Sequence, residues 1–198
     1  MNNMTRTALI IVDVQNDFCP GGSLAVPRGN EVVSPLNKWL QKADLENWVI
    51  VATRDWHPKE TTHFLESGAG WPVHCVKGTP GAEFHPDLNL YHCYVVSKGM
   101  GETEDAYSGF AGTCGGVKLG HLLRTNYVKR IFIGGLATDY CVKATALDAK
   151  RLGFEVYLIL DACRAVDVKP GDGERAIEEM RVAGVIVTTT EEVLNETR

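Results

Sequence analysis

The chain has 198 residues, 44% of them hydrophobic and 23% charged; this is the length and composition of one ordinary globular domain and excludes a disordered or lipid-embedded polypeptide. A formal net charge of -5 and a pI near 5.7 exclude the basic surface that nucleic acid or an anionic membrane attracts, leaving small molecules as the expected partners. Six cysteines are scattered through a chain too large to need cross-links, and the N-terminal MNNMTRTALIIVDVQ lacks a secretory cleavage pattern, so a reduced cytoplasm is the expected setting.

In chain order, Thr7 to Val14 reads as a buried strand, with Asp13 following its ALIIV run, and Glu31 to Leu45 has helical spacing. A second strand, Trp48 to Thr53, leads to Asp55 and then into an irregular stretch, Asp55 to Leu90, rich in His, Pro and Gly. Long loops inside compact domains are more often functional than not, so ligands are expected there. Cys93 to Ser97 is the third strand and delivers Lys98; Val117 to Thr125 is helical, Arg130 to Gly134 a strand, and Tyr140 to Leu152 a helix. Glu155 to Leu160, followed by Asp161, then the helix Gly173 to Val182 and the strand Val185 to Thr188 complete the series. Apolar runs alternating with helices predict parallel strands joined by crossovers, a three-layer α/β/α sandwich of Rossmann-like type in one domain spanning 1–198. No internal repeat or linker interrupts it.

In open parallel sheets the binding crevice lies at the carboxyl ends of the strands. Asp13, Asp55, Lys98, Cys141 and Asp161 all fall there. Each acid alone has the competing explanation of satisfying nearby backbone donors; a thiol, an amine and a carboxylate together point to chemistry. In GGLATDYCVKATALDA (134–149), Cys141 is expected in the first turn of a helix, capped by Thr138 or Asp139. A helix start and a nearby ammonium both favour a thiolate, so Cys141 is the expected nucleophile and the other five thiols are expected to be structural. Gly134, Gly135 and Ala137 are small enough to let a substrate approach backbone N–H groups. The competing explanation, one more core cysteine facing the sheet, stays open at this point.

Asp55 and His57 are two apart as the chain leaves a strand, which points both side chains to one face, and His63 and His74 follow. One carboxylate with imidazoles suits Zn²⁺, Fe²⁺ or Mn²⁺, with zinc the first expectation, and open positions for water or substrate. A capped Asp-Trp-His-Pro turn with unrelated histidines is the alternative. His85, His92 and His121 are expected to be structural.

The blocks DVQNDFCPGGSLAV (13–26), RDWHP (54–58) with His63 and WPVHC (71–75) downstream, KG (98–99) before DAYSGF (105–110), and GGLATDYCVKATALDA occur in an order that resembles the nicotinamidases, also called pyrazinamidases, of the isochorismatase-like cysteine hydrolase superfamily. The resemblance runs nearly end to end. It implies a mainly parallel sheet of six strands, with Asp13 as general base, Lys98 as electrostatic partner and Cys141 as nucleophile. It implies a divalent metal on Asp55, His57 and His74, with His63 matching a fourth ligand in part of the family. Phe18, Leu24, Trp71 and Tyr107 match the ring-binding wall, the Leu136–Ala137 peptide matches a cis bond, and the amides of Ala137 and Cys141 match an oxyanion hole. Glu102, Thr103 and Glu104 lengthen the segment after Lys98 relative to the family.

The implied reaction is deamidation of nicotinamide, and of pyrazinamide, to the acid and ammonia through a thioester, a step of NAD salvage needing no organic cofactor. The same thiol chemistry on another amide or ureido substrate is a second reading. A binding or redox module on a Rossmann-like scaffold is a third, weakened because Gly21, Gly22 and Ser23 do not form a dinucleotide fingerprint and no CxxC pair is present. Self-association stays open.

Overall fold

The computed structural model describes residues 6–64, 70–103 and 107–195. Eight strands form one sheet: β1 (Arg6–Val12), β2 (Val49–Asp55), β3 (Tyr94–Lys98), β4 (Thr113–Cys114), β5 (Val117–Lys118), β6 (Val128–Leu136), β7 (Glu155–Arg164) and β8 (Ile186–Thr188). Among the described residues five α-helices accompany them: α1 (Val33–Leu45), α2 (Leu119–Thr125), α3 (Lys143–Arg151), α4 (Asp172–Val182) and α5 (Thr190–Asn195). The strand order is β5-β4-β3-β2-β1-β6-β7-β8. The six expected strands are all present and mutually parallel. The sheet is nonetheless wider than six, because the two-residue strands β4 and β5 add an antiparallel hairpin beside β3. Strands this short carry no period to read, and Val117 and Lys118, expected in the helix, belong to the hairpin.

Alternate residues of each central strand face opposite layers. Ala8, Ile10 and Val12 pack with Leu119, Leu123, Val142 and Ala146 on one side. Leu9 and Ile11 pack with Leu36, Trp39 and Ala43 on the other. Both faces are therefore apolar, which is why the strands read as continuous hydrophobic runs. α5, absent from the sequence reading, is fastened to α1 by Trp39 Nε1 donating to Thr190 Oγ1 at 3.0 Å.

The chain runs outward from β1 to β2 and β3 on one side, and to β6, β7 and β8 on the other. The topological switch thus lies between β1 and β6, where a crevice is expected at the strand ends. The strands approach closely there: a Cβ on Gly135 would lie 2.1 Å from Val12 O, and Gly135 has φ +129°, so only glycine fits. Among the described residues no helix is long and apolar enough to cross a membrane.

Candidate active site

Parallel registry brings four side chains from three strand ends and one turn together. Asp55 and Lys98 are direct cross-strand partners at the ends of β2 and β3. Asp13 follows β1 with φ +49°, a left-handed turn that an Asp tolerates, and its Oδ1 accepts from Thr53 Oγ1 at 2.6 Å. Lys98 Nζ, fully buried, is 2.7 Å from Asp13 Oδ2, is paired with Asp55 Oδ1, and donates toward Cys141 Sγ at 3.6 Å. One oxygen of Asp13, one of Asp55 and the thiol sulfur lie within 4.8 Å of one another.

The electrostatics follow from burial opposed by one ammonium. Burial raises the Asp13 carboxyl and neighbouring Asp55 adds to it, outweighing Lys98, so Asp13 holds a proton more readily than an ordinary aspartate. Burial would raise Asp55 as well, but the Lys98 ammonium overcomes it and keeps that carboxylate ionised far below its usual range. Burial alone would discharge Lys98; the two carboxylates reverse this and keep it an ammonium.

Cys141 departs from the sequence expectation in two respects. It occupies a π-helical turn, Thr138–Val142, that precedes α3, and neither Thr138 nor Asp139 caps that turn through its side chain. Instead Asp139 accepts from the amides of Val166 and Asp167, both at 2.9 Å, tying the turn to the segment after β7. The thiol is also pushed well above its ordinary value, by burial first and then by Asp13 and Asp55, against the opposing pull of Lys98. The resting sulfur is therefore a thiol, not the thiolate that a helix start and an ammonium alone would give. Its remaining neighbours decide this, and local sequence does not contain them.

Asp55 Oδ2, turned away from Lys98, lies 3.7 Å from His57 Nε2 and 3.9 Å from His74 Nε2. His57 Nδ1 is 3.1 Å from Gly99 O and His74 Nδ1 is 2.7 Å from Pro72 O. A carbonyl only accepts, so each Nδ1 carries the hydrogen and each Nε2 presents a lone pair to the common space. His57 Nε2 is buried without a hydrogen-bond partner. Burial favours the neutral, ligating form of His74. Ring atoms of His57, His63 and His74 approach within 4.8 Å of one another. Three imidazoles and a carboxylate so arranged fit a divalent cation.

A cleft of about 40 Å³ opens beside both groups, lined by Phe18, Leu24, Trp71 and Tyr107 together with Asp55, His63, His74 and Ala137. Trp71 Nε1 donates to Tyr107 Oη at 3.0 Å, fixing two of the rings. Val26, Tyr140 and Val166 also line the cleft. Tyr140 was recoverable as the neighbour of Cys141; Val166 carries no signal in sequence. The peptide between Leu136 and Ala137 is cis. Asp161, expected among the strand-end acids of the crevice, is not part of the site: β7 continues through Arg164, and Asp161 is exposed and accepts from Thr190 N at 2.8 Å at the start of α5. In the segment after Lys98, the Glu102 carbonyl accepts from Thr62 N at 2.8 Å and Thr61 Oγ1 at 2.9 Å, anchoring the loop that bears His63. Glu104 lies outside the described residues.

Fold and site together define a class, a hydrolase built on a three-layer α/β/α sandwich with a buried thiol as its candidate nucleophile. The isochorismatase domain model matches residues 7–192, and the chain belongs to that family. It is 37% identical over 204 residues to the nicotinamidase of Escherichia coli K12, covering 94% of this chain and 96% of that one. The pyrazinamidase of Pyrococcus horikoshii in complex with zinc superposes with a TM-score of 0.87 at 47% identity, covering 93% of this chain and 99% of that one. PnC1 from L. infantum in complex with nicotinate gives a TM-score of 0.84 at 36% identity, covering 94% of each chain.

Proposed function

We propose that the protein is an amidohydrolase that converts nicotinamide to nicotinate and ammonia, with pyrazinamide as a second substrate, within a single domain spanning 1–198. The observation that carries the reading is the placement of one narrow aromatic cleft between the histidine cluster and the Cys141 turn. A flat heteroaromatic amide is the chemical shape that meets both ends at once. The zinc and nicotinate complexes of the relatives support the same choice.

Zinc is the proposed ion on Asp55, His57, His63 and His74; when bound it supplies a Lewis-acidic point that orients a pyridine nitrogen, directly or through water. The rest is done by the chain. Phe18, Leu24, Trp71 and Tyr107 hold the ring, which leaves the carboxamide carbon against Cys141 sulfur. Asp13 takes the thiol proton as sulfur attacks, and Lys98 compensates the charge that appears on sulfur. The amides of Ala137 and Cys141 are proposed to hold the tetrahedral oxyanion; Tyr140 N and Val142 N, both 3.1 Å from Ala137 O, fix that turn. Asp13 returns the proton to the departing ammonia, then activates the water that cleaves the thioester. Asp13 suits this shuttle because its proton affinity is raised while Asp55 stays ionised.

Cytoplasmic residence is proposed on the same footing, supported by six cysteines that are all free. The test is ammonia release from nicotinamide, pyrazinamide and a set of ureido compounds by the zinc-loaded protein. Nicotinamide should be turned over, Cys141→Ala should release none, and a rapid quench should trap an acyl adduct only when Cys141 is present. Turnover confined to the ureido compounds would refute the substrate, and substantial turnover by Cys141→Ala would refute the nucleophile.

A further inference from the structure

We propose that Asp17 is the positioning residue of the metal centre, holding His57 and His74 in register through the main chain of Cys75, with Gly81 leaving the space that its carboxylate fills. The inference rests on the reading of Asp55, His57, His63 and His74 as metal ligands.

Asp17 lies in the short turn Asn16–Phe18 that follows β1, and its Oδ2 accepts from Cys75 N at 2.7 Å. Cys75 adjoins His74, and the Cys75 carbonyl accepts from His57 N at 3.0 Å. The N–H and C=O of a single residue thus couple the Asp17 carboxylate to the backbones of both imidazoles. Cys75 holds φ +46°, a conformation unfavourable for a residue with a Cβ, which persists where the surroundings enforce it. A hydrogen bond to a carboxylate is among the stronger constraints available.

Gly81 shows that the carboxylate is accommodated by design of the loop. A Cβ there would lie 2.2 Å from Asp17 Oδ2, 2.3 Å from Cγ and 2.4 Å from Oδ1, its three nearest neighbours. Gly81 has no left-handed φ, so its backbone alone does not demand glycine. The neighbours of Asp17 secure the same loop independently. Gln15 Nε2 donates to Asp55 O and Ala82 O, both at 2.8 Å, and Asn16 Nδ2 donates to Pro80 O at 2.8 Å. Removing Asp17 therefore leaves the loop attached while releasing the orientation of Cys75 and its two histidine neighbours.

The test measures zinc affinity by competition with a chromophoric chelator, alongside thermal melting of the metal-free proteins. Asp17→Ala should weaken zinc roughly 10- to 100-fold, the usual effect of removing an outer partner of a metal site. Asp17→Asn keeps an acceptor for Cys75 N and should recover most of the loss. Gly81→Ala, which displaces the carboxylate, should weaken zinc like Asp17→Ala, and the double variant should be no weaker than Asp17→Ala alone. Unchanged affinity in Asp17→Ala or Gly81→Ala, additive losses in the double variant, or an Asn variant as weak as Ala would overturn the proposal. If Asp17→Ala does not fold, Gly81→Ala and Asp17→Asn decide it by the same criteria. Unmodified protein that binds no zinc would instead refute the metal reading, and this proposal with it.

Discussion

Replacing Lys98 with Met tests the electrostatic account most directly, because an unbranched side chain of nearly the same length is kept while the ammonium, with its charge and donors, is removed. Lys98 Nζ is fully buried, 2.7 Å from Asp13 Oδ2 and paired with Asp55 Oδ1. An ion pair at that distance is worth roughly 6 kcal/mol at an effective dielectric of 20, before desolvation is subtracted. Without the ammonium, burial acts unopposed on Asp55, which is then forced to take up a proton. Protonating an ordinary carboxyl of pKa about 3.9 at pH 7 costs about 4 kcal/mol, and at pH 5 about 1.5 kcal/mol. The first figure falls within the roughly 3–5 kcal/mol seen when one partner of a buried pair is removed. The sign is fixed by linkage. In the wild type Asp55 is depressed, so its contribution is complete above its unfolded pKa and is lost only in acid. In Lys98→Met the folded state binds the extra proton, so stability falls as pH rises from 5 to 7. For a chain of this size the deficit corresponds to about 8–16 °C in Tm at pH 7 and about 3–6 °C at pH 5. Thermal melting of both proteins after chelation, across that pH range, measures it. A deficit that does not shrink toward pH 5, or one below about 1 kcal/mol at pH 7, would refute the reasoning.

Asp13→Asn should lower kcat by about 10²- to 10⁴-fold, the usual span for a positioned proton carrier. In the wild type the acid limb of kcat/KM should lie above the ordinary aspartate value of 3.8, because burial raises that carboxyl; a limb at or below 3.8 would contradict the assignment. Alkylation of Cys141 by iodoacetamide in metal-free protein should keep accelerating beyond pH 9.0, the reference value from which burial raises it, and a plateau near neutrality would show a resting thiolate. Asp139→Ala removes two hydrogen bonds of 2.9 Å that backbone amides donate to a carboxylate, so a loss of about 3 kcal/mol is expected from such charged contacts. The same change should raise KM, since Val166 lines the cleft. Tyr107→Phe deletes the 3.0 Å bond from Trp71 and should raise KM by roughly 2- to 10-fold with kcat retained.

The layered fold was legible because both faces of the sheet are covered: strands such as β1 and β2 read as unbroken apolar runs, and amphipathic segments separate them. β4 and β5 were not, since two residues hold no period, and α5 is short, like many terminal elements whose existence depends on what they dock against. The site divides the same way. Residues at strand ends were found because topology, not local chemistry, delivers them to one edge; that rule retrieved Asp13, Asp55 and Lys98, and also admitted Asp161, whose strand runs four residues further than its apolar run suggested. What sequence cannot weigh is a sum of opposing fields. The turn that bears Cys141 and the nearby Lys98 both argue for an ionised sulfur, and each is visible in the chain. Burial and the two carboxylates argue against it, and they gather around the sulfur only after β1, β2 and β3 pair. Because these opposing contributions dominate, the nucleophile waits as a thiol. The proton it must shed falls to Asp13, the one neighbouring acid whose affinity for it is raised.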